Sequence, residues 1–349
     1  MRFEKLSGRA EFLSHLKGFE REIQELEYRL DPLTGHVSVV CRGRLAYVLK
    51  YFRQDEELLE ELISSTRENC PFCPGAVEER TPKFPPEVAG EGRLRRGDCW
   101  AVPALYAHAD FNAIIILGSE HYRPLDKMDE GLFEDGLSLA LEVLRRAHRA
   151  YSRLGHATIM MGYMPTGGSS LLHPHMQVLM MPIPFNRTLY LLEKSIEYRR
   201  HSGNFWSELV RTEAGEGERL VGHLGRTWWL APFAPSARYE VIGLVEGASN
   251  LLDLGEDDVA CLARGISRVL RAYADMGITA FNMAFLSGPL GEDLSDSFWL
   301  QVRICARFGL SRSRLSDFWA LPVVLWTDEV FEAPEEYASK LKRYFQSGL

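Results

Sequence analysis

Two histidines separated by one residue occupy the most reactive-looking segment of this 349-residue chain. His173, His175 and Gln177 alternate with apolar residues in the run LLHPHMQVLMMP, which follows a Gly/Ser segment and ends at a proline. In a β-strand, side chains at positions i, i+2 and i+4 point to one face, whereas a helix would turn the two histidines about 200° apart. The pattern therefore predicts a strand that presents two imidazoles and one amide together.

The chemistry that suits this strand is covalent transfer at phosphorus. An unprotonated imidazole is a nucleophile at neutral pH, so His175 could carry a nucleotidyl group as a phosphoramidate between two displacements. Gln177 could hydrogen-bond the non-bridging oxygen on which charge develops. A pair of solvated histidines at a sheet edge is the alternative, and the nearby glutamine and glycines favour catalysis.

The segment TGGSS at residues 166–170 lies just ahead of the two histidines. Small residues let backbone N–H groups approach phosphate oxygens, and a hydroxyl can add a further hydrogen bond. The same letters would also suit a plain turn. The predicted phosphate-binding residues are Gly167, Gly168, Ser169, Ser170, Arg42 and Arg44.

A second constellation, CPFCPG, places Cys70 and Cys73 two residues apart. Two thiols at this spacing can bind one metal ion, and a tetrahedral site needs two further ligands. A redox role would require a thioredoxin-like βαβ context, which the flanking sequence lacks. We therefore expect a metal site, with zinc as the ion, and candidate further ligands among the histidines, including His108, His121 and His173.

Composition places the chain among ordinary globular proteins. Apolar residues make up 46% and charged residues 25%, and the formal net charge is −8, so no general basic field is available to bind nucleic acid. The strongly apolar run at residues 113–117 is far too short to cross a membrane, and the first residues lack the apolar centre of a signal peptide. We expect a cytoplasmic protein without disulfides.

Hydrophobic spacing gives a local prediction for several segments. Residues 10–30 carry an apolar stripe at helical spacing and predict a charged amphipathic helix, and residues 54–65 predict a short acidic helix. Residues 171–181 predict the strand that carries the two histidines.

From Cys99 onward the same order of elements occurs twice. A Trp-to-Pro strand, an apolar strand, a Leu-Asp turn, a long helix and two more strands follow each other in both passes. Trp100 and Trp229 are 129 residues apart, and Asp126 and Asp253 are 127 residues apart. The sequence therefore predicts an α+β fold of two tandem halves, residues 1–195 and 196–349, with mostly antiparallel sheets each covered by helices.

Three motifs together resemble the galactose-1-phosphate uridylyltransferase family of the histidine-triad superfamily. They are RLDPLTG at residues 29–35, CPFCPG at residues 70–75, and the stretch from Ser170 to Gln177, which is similar to the family's Ser-x-x-His-Pro-His-Gly-Gln. The resemblance extends from about Tyr28 to the C-terminus.

The resemblance implies two histidine-triad-like halves and a ping-pong transfer through a nucleotidyl-histidine, with His175 as the nucleophile. It implies uridylyl transfer between a UDP-sugar and a hexose 1-phosphate, with Ser170 contacting phosphate, in a homodimer whose sites lie near the subunit interface. It also implies one structural zinc ion per chain, which would anchor the strand that presents His175. The implied zinc ligands are Cys70, Cys73, His121 and His173.

The chain also departs from the family pattern. Met176 replaces a glycine, and residues 100–102, Trp-Ala-Val, replace an Asn-Asp-Phe stretch that contacts the nucleoside. Val323 and Glu329 occupy the places of hexose-binding residues, and residues 305–307 replace a His-x-His of a second metal site. Two alternatives therefore remain open: an adenylyl-transferring phosphorylase acting on an ADP-sugar or a dinucleoside polyphosphate, and a non-catalytic nucleotide-binding protein.

Overall fold

The computed structural model describes residues 1–312 and 316–346, whose strands form two sheets. The strands are β1 (Glu4–Ser14), β2 (Glu20–Leu30), β3 (Val37–Val40), β4 (Leu94–Arg96), β5 (Cys99–Pro103), β6 (Phe111–Ile116), β7 (His156–Tyr163), β8 (His175–Met181), β9 (Leu220–Leu224), β10 (Thr227–Leu230), β11 (Val241–Val245), β12 (Ala280–Leu286), β13 (Gln301–Arg307) and β14 (Asp328–Val330). The helices are α1 (Leu45–Phe52), α2 (Glu56–Arg67), α3 (Val77–Arg80), α4 (Glu130–Ala150), α5 (Asn186–Ser202), α6 (Phe205–Glu216), α7 (Glu256–Asp275), α8 (Ala320–Val323) and α9 (Pro334–Gln346).

The larger sheet has ten strands in the order β4-β5-β6-β8-β7-β12-β13-β11-β10-β9, and every neighbouring pair in it is antiparallel. The long helices α4 and α7 cover one face and contact each other. Their buried stripes are apolar because that face is closed to water. The predicted α+β class with antiparallel sheets and covering helices is confirmed.

The two expected sheets are one continuous sheet. β7 pairs with β12, from Phe281 opposite Tyr163 to Ala284 opposite Met160, and so joins the two halves. This pairing satisfies backbone groups that would otherwise lie along two open sheet edges. The element order β5-β6-α4-β7-β8 recurs as β10-β11-α7-β12-β13. The division between residues 195 and 196 stays a prediction, and α5 runs through that point.

The predicted helix at residues 10–30 is wrong, because these residues belong to the hairpin of β1 and β2. The two strands pair without interruption from Glu4 opposite Leu30 to Ser14 opposite Glu20. Gly18 and Phe19 have φ of 63° and 66°, a left-handed conformation that reverses the chain and that no helix contains. Pairing of β2 with β3 adds backbone hydrogen bonds, so tertiary pairing overrides the helical spacing of the apolar residues. The acidic helix at 54–65 is confirmed as α2.

The smaller sheet, in the order β1-β2-β3-β14, is fastened to the second half by a charged cluster. Arg29 on β2 is 2% exposed and donates two hydrogen bonds to Glu335 at 2.8 and 2.9 Å. Arg219 donates to the same carboxylate at 2.9 Å.

Among the described residues, no helix combines the length and apolar character required to span a membrane.

Replacing Glu335 with glutamine should lower the free energy of unfolding at pH 7. It should also reduce the amount by which that free energy decreases when the pH is lowered. Burial by itself would raise the pKa of Glu335, but the hydrogen bonds and charge of Arg29 prevail and lower it from 4.5 to about 2. A carboxylate with a lowered pKa stabilises the fold above pH 4.5, and this contribution disappears as the pH falls towards 2. We expect Glu335→Gln to lower the free energy of unfolding at pH 7 by about 3 kcal/mol.

The measurement is urea unfolding of both proteins across that pH range. Glu130→Gln is the matched control, because Glu130 pairs with Arg264 through side chains that are both about half exposed. Exposed ion pairs contribute little to stability, so the free energy of unfolding of the control should stay within about 0.5 kcal/mol of the wild-type value at each pH. Equal acid sensitivity of the Glu335→Gln protein and the wild type would contradict the assignment.

Candidate active site

The strand that carries the predicted nucleophile is β8, which lies between β6 and β7 in the large sheet. His175 lies opposite Ile116 of β6, and Gln177 lies opposite Ile114. Directly paired residues share a face, so both polar side chains project from the face opposite α4. Met176 and Val178 point the other way and are fully buried beneath that helix. The alternation seen in the sequence is therefore the alternation of a strand with one reactive face and one packed face.

The ring of His175 is held in one tautomer. Its Nδ1 lies 2.9 Å from the backbone oxygen of His173, and because a carbonyl oxygen only accepts, Nδ1 carries the proton. The lone pair of Nε2 is then free to attack. Burial lowers the pKa of His175, which keeps the ring neutral, and the Phe72 ring contacts it with centroids 5.3 Å apart. The arrangement presents an oriented neutral imidazole.

Gln177 is oriented by Asn112, a residue that the sequence analysis missed. The Asn112 amide nitrogen donates to Gln177 Oε1 at 3.4 Å, which leaves the Gln177 amide nitrogen available as a donor to a substrate oxygen. Asn112 is 7% exposed and its own oxygen accepts from the backbone N–H of His108. A lone amide in the apolar run FNAIII was the available signal, since a buried polar side chain needs partners.

For the nucleotidyl transfer that the sequence predicts, replacing Asn112 with alanine should lower the rate by about tenfold, because Gln177 then loses the partner that orients its amide. KM for the donor should change much less, since Asn112 acts through Gln177. Steady-state kinetics check both numbers, and Asn112→Ser, which keeps a donor, should restore part of the rate. A rise in KM with unchanged kcat would mean that Asn112 contributes to substrate binding.

Four side chains from three segments form a compact cluster next to the start of this strand. The donor atoms of Cys70, Cys73, His121 and His173 all lie within 4.8 Å of one another. Cys73 Sγ is 3.4 Å from His121 Nδ1 and 3.7 Å from His173 Nδ1, and Cys70 Sγ is 4.0 Å from His173 Nδ1. Zinc bonds of about 2.0–2.3 Å in a tetrahedron place donors at about these separations. The two-thiol, two-imidazole set therefore fits a closed zinc site and could hold the ion.

Hydrogen bonds outside the cluster fix both imidazoles for binding through Nδ1. His173 Nε2 lies 3.1 Å from the Gly118 backbone oxygen, and His121 Nε2 lies 2.9 Å from Thr66 Oγ1. Burial lowers the pKa of His173 to about 4, so its ring is neutral, as a metal ligand must be. The same His173 backbone orients the nucleophile, so an ion held here would stiffen the start of β8.

The predicted phosphate-binding residues lie in two parts of the structure, the loop at residues 166–170 and the segment beside the smaller sheet. Gly167 packs against β12: its oxygen accepts from Asn282 at 2.6 Å, and a side chain there would meet the Phe281 oxygen at 2.8 Å. Gly168 has a φ of 85° with open space beside it. Ser169 Oγ donates to the Leu171 oxygen, and Ser170 is exposed. Phosphate contacts from this loop stay a prediction.

Arg42 and Arg44 lie beside the smaller sheet rather than on β8. Arg42 pairs with Glu336 at 3.0 Å, and Arg44 pairs with Glu329 at 2.6 Å. Both guanidinium groups therefore have carboxylate partners in this structure, and their role as phosphate ligands also stays a prediction.

The second half has different chemistry at the equivalent positions. Leu244 of β11 lies opposite Gln301 of β13, and Ile242 lies opposite Arg303, which are the counterparts of His175 and Gln177. Arg303 pairs with the buried Glu240 at 2.8 Å. A cavity of about 540 Å³ lies beside Arg303, but its lining includes no residue of the β8 site. The described strands of the second half therefore carry no histidine at the positions equivalent to His175 and Gln177.

Comparison with known proteins finds one similar sequence and several solved structures of similar fold. No family model matches the sequence. An uncharacterized protein of Archaeoglobus fulgidus is 28% identical over 328 residues, which is 94% of each chain.

Among solved structures, a galt-like protein of Arabidopsis thaliana has a TM-score of 0.71 at 15% identity, covering 92% of this chain and 99% of that chain. An ADP-glucose phosphorylase of Arabidopsis thaliana, with bound ADP-glucose, has a TM-score of 0.70 at 16% identity, covering 93% and 100%. A uridylyltransferase has a TM-score of 0.66 at 22% identity, covering 80% and 90%. The resemblance drawn from the motifs is confirmed at the level of the fold: this chain has the fold of the galactose-1-phosphate uridylyltransferase family.

Proposed function

We propose that the protein is a nucleotidyltransferase that works through a covalent nucleotidyl-His175 intermediate. The observation that carries this proposal is the His175 ring, whose Nδ1–H is bound to a backbone oxygen while Nε2 is free on the same face as Gln177. A free imidazole nitrogen beside an oriented amide is suited to two successive displacements at phosphorus.

In the first displacement, Nε2 of His175 forms a bond to the α-phosphorus of a nucleotide donor, and the bond from that phosphorus to the bridging oxygen breaks. The leaving group is the phosphorylated part of the donor, for example a sugar phosphate. In the second, a phosphate oxygen of the acceptor attacks the same phosphorus and the P–N bond breaks, which regenerates His175. Gln177 donates a hydrogen bond to a non-bridging oxygen in both steps.

One zinc ion per chain would be held by the Cys70, Cys73, His121 and His173 cluster. When bound, it supplies a rigid cross-link between the Cys70–Cys73 turn and the residues that precede β8. The chain's own groups do the rest: the His173 backbone oxygen holds the nucleophile's proton, and the exposed Ser170 offers its hydroxyl to the phosphates.

The donor we propose is a nucleotide sugar, and the acceptor is a phosphorylated small molecule. The motifs support a uridylyl group passing between a UDP-sugar and a hexose 1-phosphate, because the nucleophile motif resembles that family. An adenylyl group is the second candidate: the Asn-Asp contacts of the family are absent at residues 100–102, and the Arabidopsis fold relative with bound ADP-glucose is an ADP-glucose phosphorylase.

We also propose a homodimer in the cytoplasm. Large apolar side chains are exposed near the C-terminal end of the described chain, with Val324 72%, Leu325 65% and Trp326 73% exposed. Clustered apolar exposure of this kind is typical of a surface that another protein covers.

Isotope exchange tests the covalent step. The protein is incubated with UDP-glucose or ADP-glucose and labelled glucose 1-phosphate, with no other acceptor. A ping-pong enzyme exchanges the label into the nucleotide sugar, because the first half-reaction reverses by itself. Tight nucleotide binding with no exchange from either donor would instead indicate a non-catalytic nucleotide-binding protein.

A further inference from the structure

The hairpin of β1 and β2 projects beyond the rest of the smaller sheet as a ribbon of two strands. β3 pairs with β2 from Glu27 to Leu30, whereas β1 continues to pair with β2 as far as Ser14 opposite Glu20. A hairpin of two strands has little stability of its own in water, and at least a third strand is needed for an independently stable sheet. The outer part of this hairpin would therefore be stabilised by a further strand.

The outer edge of β1 can accept that strand. Within residues 1–312 and 316–346, no strand pairs with the other side of β1, and all its residues except Gly8, Ala10 and Ser14 are exposed. Edge strands are commonly protected from further pairing by short length, by a proline or by a bulge. β1 has 11 residues, contains no proline and pairs with β2 without a shift of register, so these three forms of protection are absent from it.

The charges of β1 are complementary to those of a second copy of the same strand. Arg9 and Glu11 are two residues apart and therefore lie on one face. If two copies of β1 pair antiparallel about a twofold axis at Ala10, Arg9 of each copy lies opposite Glu11 of the other. An axis at Arg9 or at Glu11 would instead place like charges opposite each other, which is unfavourable. Glu11 also pairs with Arg21 of its own hairpin, but both side chains remain exposed.

The other face of β1 fits the same register. In this register Phe12, which is exposed, lies opposite Gly8 of the second copy. The ring of Tyr28 occupies the space above Gly8, so a side chain added there would collide with it. Phe12 of one copy would pack against the Tyr28 ring of the other, as aromatic residues do when they cover a glycine on a neighbouring strand. The exposed Leu16 and Phe19 at the end of the hairpin would lie beside the first residues of the other β1.

We propose that two copies of this chain associate through β1, with the two strands antiparallel and the twofold axis at Ala10. The smaller sheets of the two copies then form one continuous sheet, in which each hairpin gains a neighbouring strand. This interface is a different surface from the exposed apolar residues 324–326, and it does not depend on the transfer chemistry.

Sedimentation equilibrium of the whole protein tests the association. Glu11→Arg places two positive charges opposite each other at both ends of the symmetric pair, so it should raise the dimer dissociation constant at least about tenfold. The double variant Arg9→Glu, Glu11→Arg exchanges the two charges and should recover most of the association. Thermal unfolding verifies that both variants fold. A wild-type protein that sediments as a monomer at every concentration would overturn the proposal.

Glu60→Arg is the matched control, because it makes the same change of charge at an exposed position of α2. It should leave the dissociation constant within about twofold of the wild-type value, since the change lies outside the β1 edge. Equal weakening by Glu60→Arg and Glu11→Arg would show that net charge, and not the pairing of β1, controls the association.

Hydrogen exchange distinguishes this interface from any other. Backbone amides on the outer side of β1 should exchange more slowly in the associated wild type than in the Glu11→Arg protein, whereas those at residues 324–326 should not differ. An assembly that persists in the Glu11→Arg protein with the same exchange along β1 would place the interface elsewhere and overturn the proposal. Isotope exchange tests the transfer separately, and its absence would refute the covalent step whatever is found at β1.

Discussion

Replacing His175 with alanine is expected to lower the rate of nucleotidyl transfer by at least about 10³-fold, because the group that forms the bond to phosphorus is removed. Nucleotide binding should persist within a few-fold, since the substitution removes only the imidazole. Isotope exchange gives the rate, and calorimetry with a nucleoside monophosphate gives the affinity.

The matched control is His156→Ala. His156 is a partly buried strand histidine of the same sheet, on β7, and it lies opposite Met181 at the far end of β8. Its loss should change the transfer rate by less than about threefold. A His175→Ala protein that retained full activity would require another nucleophile, and the account given for β8 would be wrong.

Removing the zinc ion that we propose for the Cys70, Cys73, His121 and His173 cluster is expected to destabilise the fold by several kcal/mol, because ligand–metal bonds that exist only in the folded state contribute directly to its free energy. The double variant Cys70→Ser, Cys73→Ser should purify without zinc and unfold at a temperature lower by about 5 °C or more. Its transfer rate should also fall, since His173, which orients His175, loses its anchor. Elemental analysis and calorimetric unfolding measure the two effects.

Cys261→Ser is the control for the metal prediction. Cys261 is a half-buried free cysteine on α7, outside the cluster, so its replacement should leave zinc content and unfolding temperature nearly unchanged. A chelator that strips the zinc, abolishes transfer and leaves the unfolding temperature unchanged would show that the ion takes part in the chemistry rather than in the fold.

Local alternation was enough to predict the reactive strand. His175 and Gln177 fall on one face of β8, with Met176 on the other, because a period of two admits only that arrangement. The repeated order of elements likewise predicted two similar arrays of strands and helices. The sequence did not show that these arrays join through β7 and β12, because pairing between distant edges depends on the tertiary arrangement.

The metal cluster illustrates where spacing stops being informative. Cys70 and Cys73 are recognisable as a ligand pair because they are two residues apart in the sequence. His121 and His173 are far along the chain, and only the family resemblance indicated them as ligands in preference to His108. The structure brings these four together through long-range packing of the Cys70–Cys73 turn against the start of β8. Spacing alone could not have excluded other histidines.

At residues 10–30, the residue spacing predicted the wrong element. Its apolar residues satisfy a helical period, yet the chain reverses at Gly18 and pairs with itself and with β3. The partnership of Asn112 with Gln177 is also set by cross-strand register, which no single segment encodes.

The central claim is that Nε2 of His175 takes the nucleotidyl group. Its most direct test is to mix the protein with an excess of nucleotide-sugar donor, quench at alkaline pH where a phosphoramidate survives, and map the added mass by peptide mass spectrometry. We predict one nucleoside monophosphate unit on the peptide that contains His175, absent from the His175→Ala protein. No added mass with either an adenine or a uracil donor, or an adduct at another residue, would contradict the account.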